Sequence, residues 1–284
     1  MQDALETLHW LVEAGADEAI SDTPVNRLAI KSQVETTSSP SPKLGAFGPS
    51  RMSTGHAHAF GAGTLPMPAG GDSIADTQAL AAAATNLAEL KSAMEGFEGC
   101  ALKRTATNTV FADGTPLGRV MFIGEAPGRD EDRIGKPFVG RAGQLLDKML
   151  ASIGLDRNIN AYITNVINWR PPENRDPSPE EAAMCLPFLR RHIELADPKV
   201  IVLLGAVAGR HVLGLSDGIM KSRGRWMEYR VGDRMVPIMP TLHPAYLLRQ
   251  PAHKKLAWRD LQSLAARMED LGLPAASGAR NFVA

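Results

Sequence analysis

Four short apolar runs, each followed by a segment of helix length, constrain what this chain can fold into. The runs cover 118–123, 160–166, 199–204 and 235–240. Helical patterns fall between and after them, at about 141–153, 178–195 and 205–213, and again near 252–271. Strands that are apolar along their whole length must be covered on both faces, and alternation with helices makes them parallel. The expected fold class is therefore α/β: a three-layer α/β/α sandwich around a mainly parallel four-stranded sheet. Arg225 to Val231 adds an expected short hairpin arm. The first run, Val120-Met121-Phe122-Ile123, breaks at Gly124 into Glu125-Ala126-Pro127-Gly128, crosses an acidic loop and enters a helix near Arg141. Such a strand–loop–helix edge is where open parallel sheets place their ligands.

The chain ahead of this edge is of a different character. Leu5, Leu8, Leu11 and Val12 share one face of an expected helix ending near Gly15, and Asp22 or Thr23 can cap a second with Pro24 at its first turn. From Thr36 to Gly71 Pro, Gly, Ser and Ala dominate, and such a segment buries too little apolar surface to offset its ordering entropy. His56 and His58 in that tract lack a third ligand and are read as solvated. The expected organisation is an N-terminal helical region 1–35, a disordered linker 36–73, a catalytic domain 74–272 and a tail 273–284. Asp72 or Ser73 can cap a helix covering roughly 74–96 that leads into the domain.

Charge separates the same way. Residues 1–100 carry 5 Lys/Arg against 12 Asp/Glu, leaving 26 against 19 in residues 101–284, although the whole chain sums to zero. A basic body suits a polyanionic partner. Two cysteines, Cys100 and Cys185, are too few for a disulfide framework and suggest a reducing, cytoplasmic setting. No signal-peptide pattern opens the chain, and no run reaches the roughly 20 apolar residues of a membrane helix. A monomer without membrane contact is expected.

Three loops leave strand ends that a parallel sheet gathers at one crevice. They are Gly124 to Gly128, the stretch from Asn165 through Asn168-Trp169-Arg170-Pro171-Pro172-Glu173-Asn174-Arg175, and Pro240 to Tyr246 with His243. Neither a P-loop nor a GxGxxG fingerprint is present, which disfavours a nucleotide-binding enzyme.

Taken together, GEAPGRDED, GKPFVGRAGQLLD, YITNV, RPPENRDPSPEE and LHPAYLL resemble the uracil-DNA glycosylase superfamily, and within it the family 4 branch. The resemblance covers about residues 97–265. It implies an enzyme of base excision repair that flips uracil out of single- or double-stranded DNA and hydrolyses its N-glycosidic bond. The resemblance also implies a four-iron four-sulfur cluster held by four cysteines, but the matching positions here are Phe97, Cys100, Trp169 and Cys185. Two thiolates cannot stand in for four, so no cofactor and no metal is expected. A related branch traps DNA covalently through a basic, histidine-containing insertion; Gly128 runs directly to Phe138 here without one.

The chemistry assigns roles to the residues. Phe138 matches the stacking aromatic of the family. The Asn165 amide can pair with uracil N3–H and O4, a pattern that cytosine reverses. Backbone groups at Gly124, Glu125 and Ala126 are placed by the resemblance against the base. His243 is the candidate for stabilising charge on uracil O2, as a neutral imidazole or an imidazolium, between which the sequence does not decide. Glu131 matches a family acid near the sugar and is favoured for activating water, with Glu125 second. Arg170, Asn174, Arg175, Lys221, Arg223 and Arg225 are expected on the DNA backbone. Tyr246, Leu247, Leu248 and Arg249 follow the histidine loop, where the superfamily inserts a wedge.

Overall fold

The computed structural model describes residues 74–273. The expected N-terminal helices, the linker, His56 and His58, and the tail from residue 274 lie outside the described residues.

The four apolar runs become β2 (Val120–Gly124), β3 (Ala161–Asn165), β4 (Val200–Leu204) and β6 (Arg234–Thr241). They lie parallel in the order β3-β2-β4-β6. Two antiparallel edges extend the expected four strands to six. On one side β5 (Met227–Val231) turns at Gly232-Asp233 and pairs with β6, realising the hairpin arm. On the other, the two-residue β1 (Asp113–Gly114) pairs with β3.

Alternation along each strand builds the two outer layers. Met121 and Ile123, with Ile201 and Leu203, face a cluster that contains Leu90, Met94, Phe188 and Ile193. Val120 and Phe122, with Val200, Val202 and Leu204, face Leu146, Leu150, Leu261 and Leu264. The first face carries α1 (Ile74–Ala83), α2 (Leu87–Gly96) and α5 (Pro179–Ala196); the second carries α4 (Arg141–Ala151) and α9 (Lys254–Asp270). The short α3 (Arg129–Ile134), α6 (Ala206–Leu213), α7 (Ile219–Ser222) and α8 (Pro244–Arg249) lie in the connections. This is the three-layer sandwich expected from the strand pattern.

The single helix expected over 74–96 is broken at residues 84–86. Asn86 caps α2 by accepting from the Glu89 N–H at 2.9 Å, while the Glu89 carboxylate accepts from the Thr85 N–H at 2.7 Å. A Thr-Asn pair that satisfies backbone donors this way competes with helix continuation. In contrast, α5 follows its signal: Ser178 and Glu181 form a reciprocal capping box ahead of Pro179.

Candidate active site

The C-terminal ends of the four parallel strands bring Gly124, Asn165, Gly205 and His243 to one edge. Gly124 ends β2 where nothing larger fits, since a Cβ there would lie 2.4 Å from Asn165 Oδ1 and 2.6 Å from the Phe138 ring. Asn165 ends β3, is 2% exposed, and its Oδ1 is buried with no hydrogen-bond partner among the described residues. Leaving a buried acceptor unmet costs about 1–3 kcal/mol, so this oxygen marks a place where a donor is expected to arrive. The loops beyond β2 and β3 are laced together, with Val166 and Ile167 donating to the carbonyls of Gly124 and Glu125 at 2.9 Å each.

Phe138 is held against this edge in a conformation it would not choose. Its φ is +54°, in the left-handed region that non-glycine residues seldom enter. Two side chains grip the loop from either side. Glu131 Oε1 accepts from the N–H groups of Val139 and Gly140, both at 2.9 Å. Arg157 donates to the carbonyl of Phe138 at 2.8 Å and of Pro137 at 3.2 Å, while pairing with Asp113 and Asp147. Below, α4 approaches so closely that a Cβ on Gly143 would lie 1.8 Å from the Phe138 carbonyl oxygen. Against the buried Phe138 ring stands His243, with centroids 5.5 Å apart.

His243 is the N-cap of α8, and its Nδ1 accepts from the Ala245 N–H at 3.1 Å. The proton of a neutral ring is thereby assigned to Nε2. Burial, with a smaller contribution from Arg249, holds the imidazole down at about 4. At neutral pH His243 is therefore an uncharged Nε2–H donor, which decides between the two forms the sequence left open. Gly205, at φ +96°, makes room for it: a Cβ there would lie 3.1 Å from the His243 Cβ.

Glu125 is half-buried, and its carboxyl sits above the usual range, first through burial and then through Asp176, with Arg210 opposing. Ala126 packs against the core cluster on the α5 face.

The expected DNA contacts divide. Leu247 is not a wedge: it is 1% exposed and belongs to the core beneath α8, whereas its neighbour Leu248 is 36% exposed. Arg175 forks onto Glu181 at 2.8 and 2.6 Å and braces the start of α5. Arg223 likewise pairs with buried Asp260. Asn174 accepts from Arg170 at 2.8 Å in a left-handed turn. Tyr246 bonds His253 Nδ1 at 2.7 Å. Arg249 is exposed with no carboxylate partner among the described residues, as are Lys221 and Arg225.

The positions matching the cluster cysteines do converge, on the α5 face of the sheet. Phe97 and Trp169 have ring centroids 6.2 Å apart, and both are buried, as are Cys100 and Cys185. Trp169 Nε1 donates to Thr109 Oγ1 at 3.0 Å. The two thiols hydrogen-bond each other, which together with burial pushes Cys185 well up. No group of three or more His, Cys, Asp or Glu suited to a metal ion occurs among the described residues.

A buried amide, a strained aromatic and a neutral histidine thus meet at the strand ends of an α/β sandwich. The family model of the uracil DNA glycosylase superfamily matches residues 111–262, and the chain belongs to that superfamily. The type-4 uracil-DNA glycosylase of Archaeoglobus fulgidus is 46% identical over 156 residues, 54% of this chain and 78% of the relative. That of Thermotoga maritima is 44% identical over 156 residues, 55% of this chain and 79% of the relative. The enzyme of the same name from Sulfurisphaera tokodaii is 37% identical over 184 residues, covering 63% and 83%. Among the described residues no helix is long and apolar enough to cross a membrane.

Proposed function

We propose that this protein is a monofunctional uracil-DNA glycosylase that extrudes uracil from DNA and hydrolyses its N-glycosidic bond. The observation that carries the reading is the unpartnered Asn165 Oδ1 at the strand edge. Uracil N3–H is the donor it lacks, and the other end of the same amide can donate to uracil O4. Phe138 stacks on the extruded ring. Water adds to the sugar C1′ as the C1′–N1 bond breaks, and the electron pair leaves on the base. His243 Nε2–H then donates to uracil O2, where that charge collects. Membership of the family and relatives named for this activity support the assignment. Incubation with uracil-containing DNA is expected to give free uracil and alkali-labile sites, without release of cytosine. Strand breaks without alkali would contradict a monofunctional enzyme.

Glu131 is better suited to position Phe138 than to activate water, because one of its oxygens already serves two backbone N–H groups. That leaves Glu125, the second candidate, for the water. Glu131→Ala is therefore expected to lower kcat/KM about tenfold through a loosened Phe138 loop, a loss of one to two hydrogen bonds' net worth. Glu131→Gln keeps an acceptor oxygen and is expected to lose much less. Equal damage from both variants would point to water activation instead.

The reading includes no iron–sulfur cluster. Two thiols are half the ligand set such a cluster takes, and the other two positions are occupied by the packed rings of Phe97 and Trp169. Anaerobically purified protein is expected to contain substoichiometric iron and sulfide; one cluster's worth of both would overturn this.

A further inference from the structure

We infer that the exposed face at the start of α9 is a second DNA-contacting surface, one that carries single-stranded DNA leading away from the lesion. This rests on the glycosylase reading for its partner. Lys254, Lys255, Trp258, Arg259 and Gln262 are exposed and recur at the spacing of one helical face. Trp258 is 40% exposed, a large aromatic left in water beside three cations. None of Lys254, Lys255 and Arg259 has a carboxylate partner among the described residues, whereas Arg119, Arg157, Arg175, Arg223 and Arg234 all do. The acids of α9 other than buried Asp260 are Glu269 and Asp270, in its last turn. Cations at the first turn and acids at the last oppose the helix dipole, so helix stability does not account for the arrangement.

The helix that carries this face is tied to the strand end next to His243. Asp260, on the opposite side of α9, accepts from Thr241 Oγ1 at 2.6 Å, two residues before His243. Arg223 closes that clamp onto Asp260 and donates to the Leu256 carbonyl at 2.6 Å. Between the two helices, Tyr246 and His253 stack with centroids 5.6 Å apart, so α8 and the start of α9 are braced together. Leu248 and Arg249 on α8 are exposed as well. Cations on phosphates with an aromatic beneath a base is how strands without sequence preference are held. An unpaired strand offers free base faces to Trp258; a duplex offers only its backbone.

The test is binding of a fluorescent, uracil-free single-stranded oligonucleotide to the full chain across a range of salt. Trp258→Ala is expected to raise Kd about tenfold, and Trp258→Phe to restore most of the loss. Each of Lys254→Gln, Lys255→Gln and Arg259→Gln is expected to flatten the slope of log K against log salt by about 0.7. All four side chains are exposed, so unchanged melting temperatures check the fold. Unaltered Kd and slope in these variants, or no binding by the wild type, would overturn the proposal. Wild-type protein that binds this oligonucleotide but releases no uracil from a separate uracil-containing strand would sink the glycosylase reading and leave this surface standing.

Discussion

His243→Ala is expected to lower kcat by about 10²–10³-fold, corresponding to the roughly 2.7–4 kcal/mol that one donor to a developing oxyanion contributes. KM should move far less, because the ground-state carbonyl oxygen carries little of the charge. The pH dependence follows from the folded environment. With the ring held at about 4 and its Nδ1 engaged by Ala245, no loss of rate from His243 is expected as pH rises through 6.5. Protonation sets in only as pH falls toward 4. Acid also destabilises the fold, because an unfolded histidine titrates near 6.5 and binds protons that the folded His243 refuses. His192 adds to this: buried against Phe111 and bonded to Tyr162, it is held down at about 3. Between pH 6.5 and 4, His192 alone is expected to remove on the order of 3 kcal/mol. Thermal unfolding across that range measures it, and a pH-independent melting temperature would contradict the neutral assignment.

Asn165→Ala is expected to lower kcat/KM for uracil by about 10–100-fold, the worth of a paired acceptor and donor reading one base edge at roughly 1–3 kcal/mol. The same substitution removes a buried oxygen that has no partner in the free protein. Stability should therefore hold or rise as activity falls. That opposite movement separates a recognition residue from a core residue, whose truncation would lower both. Chemical denaturation beside steady-state kinetics reads the two, and a matched loss in each would place Asn165 in the core.

What could be read in advance follows from how local the signal is. The four central strands were legible because each is a continuous apolar run, and Phe138, Asn165 and His243 were singled out by the family resemblance of the motifs at those strand ends. The two-residue β1 carries no period at all. Thr85 and Asn86 override an Ala-rich helix through hydrogen bonds that composition hides. Leu247 and Leu248 are adjacent in a six-residue helix, too short for periodicity to say which one faces the core. Arg157 and Gly205 act through partners well separated in sequence. Arg157 reaches carbonyls 19 and 20 residues away, and Gly205 matters because His243 comes to lie over it. A glycine directly after an apolar strand was the one visible trace of Gly205.

The account turns on whether Asn165 and His243 serve the removal of uracil. The most direct measurement is cleavage of labelled single- and double-stranded oligonucleotides bearing one uracil, followed by alkali, with wild type, Asn165→Ala and His243→Ala side by side. The account predicts alkali-dependent scission at the uracil by the wild type and a loss of at least tenfold in each variant. Scission unaffected by both substitutions would contradict the assigned site, and uracil-specific binding without any scission would make the protein a reader of damage rather than an enzyme.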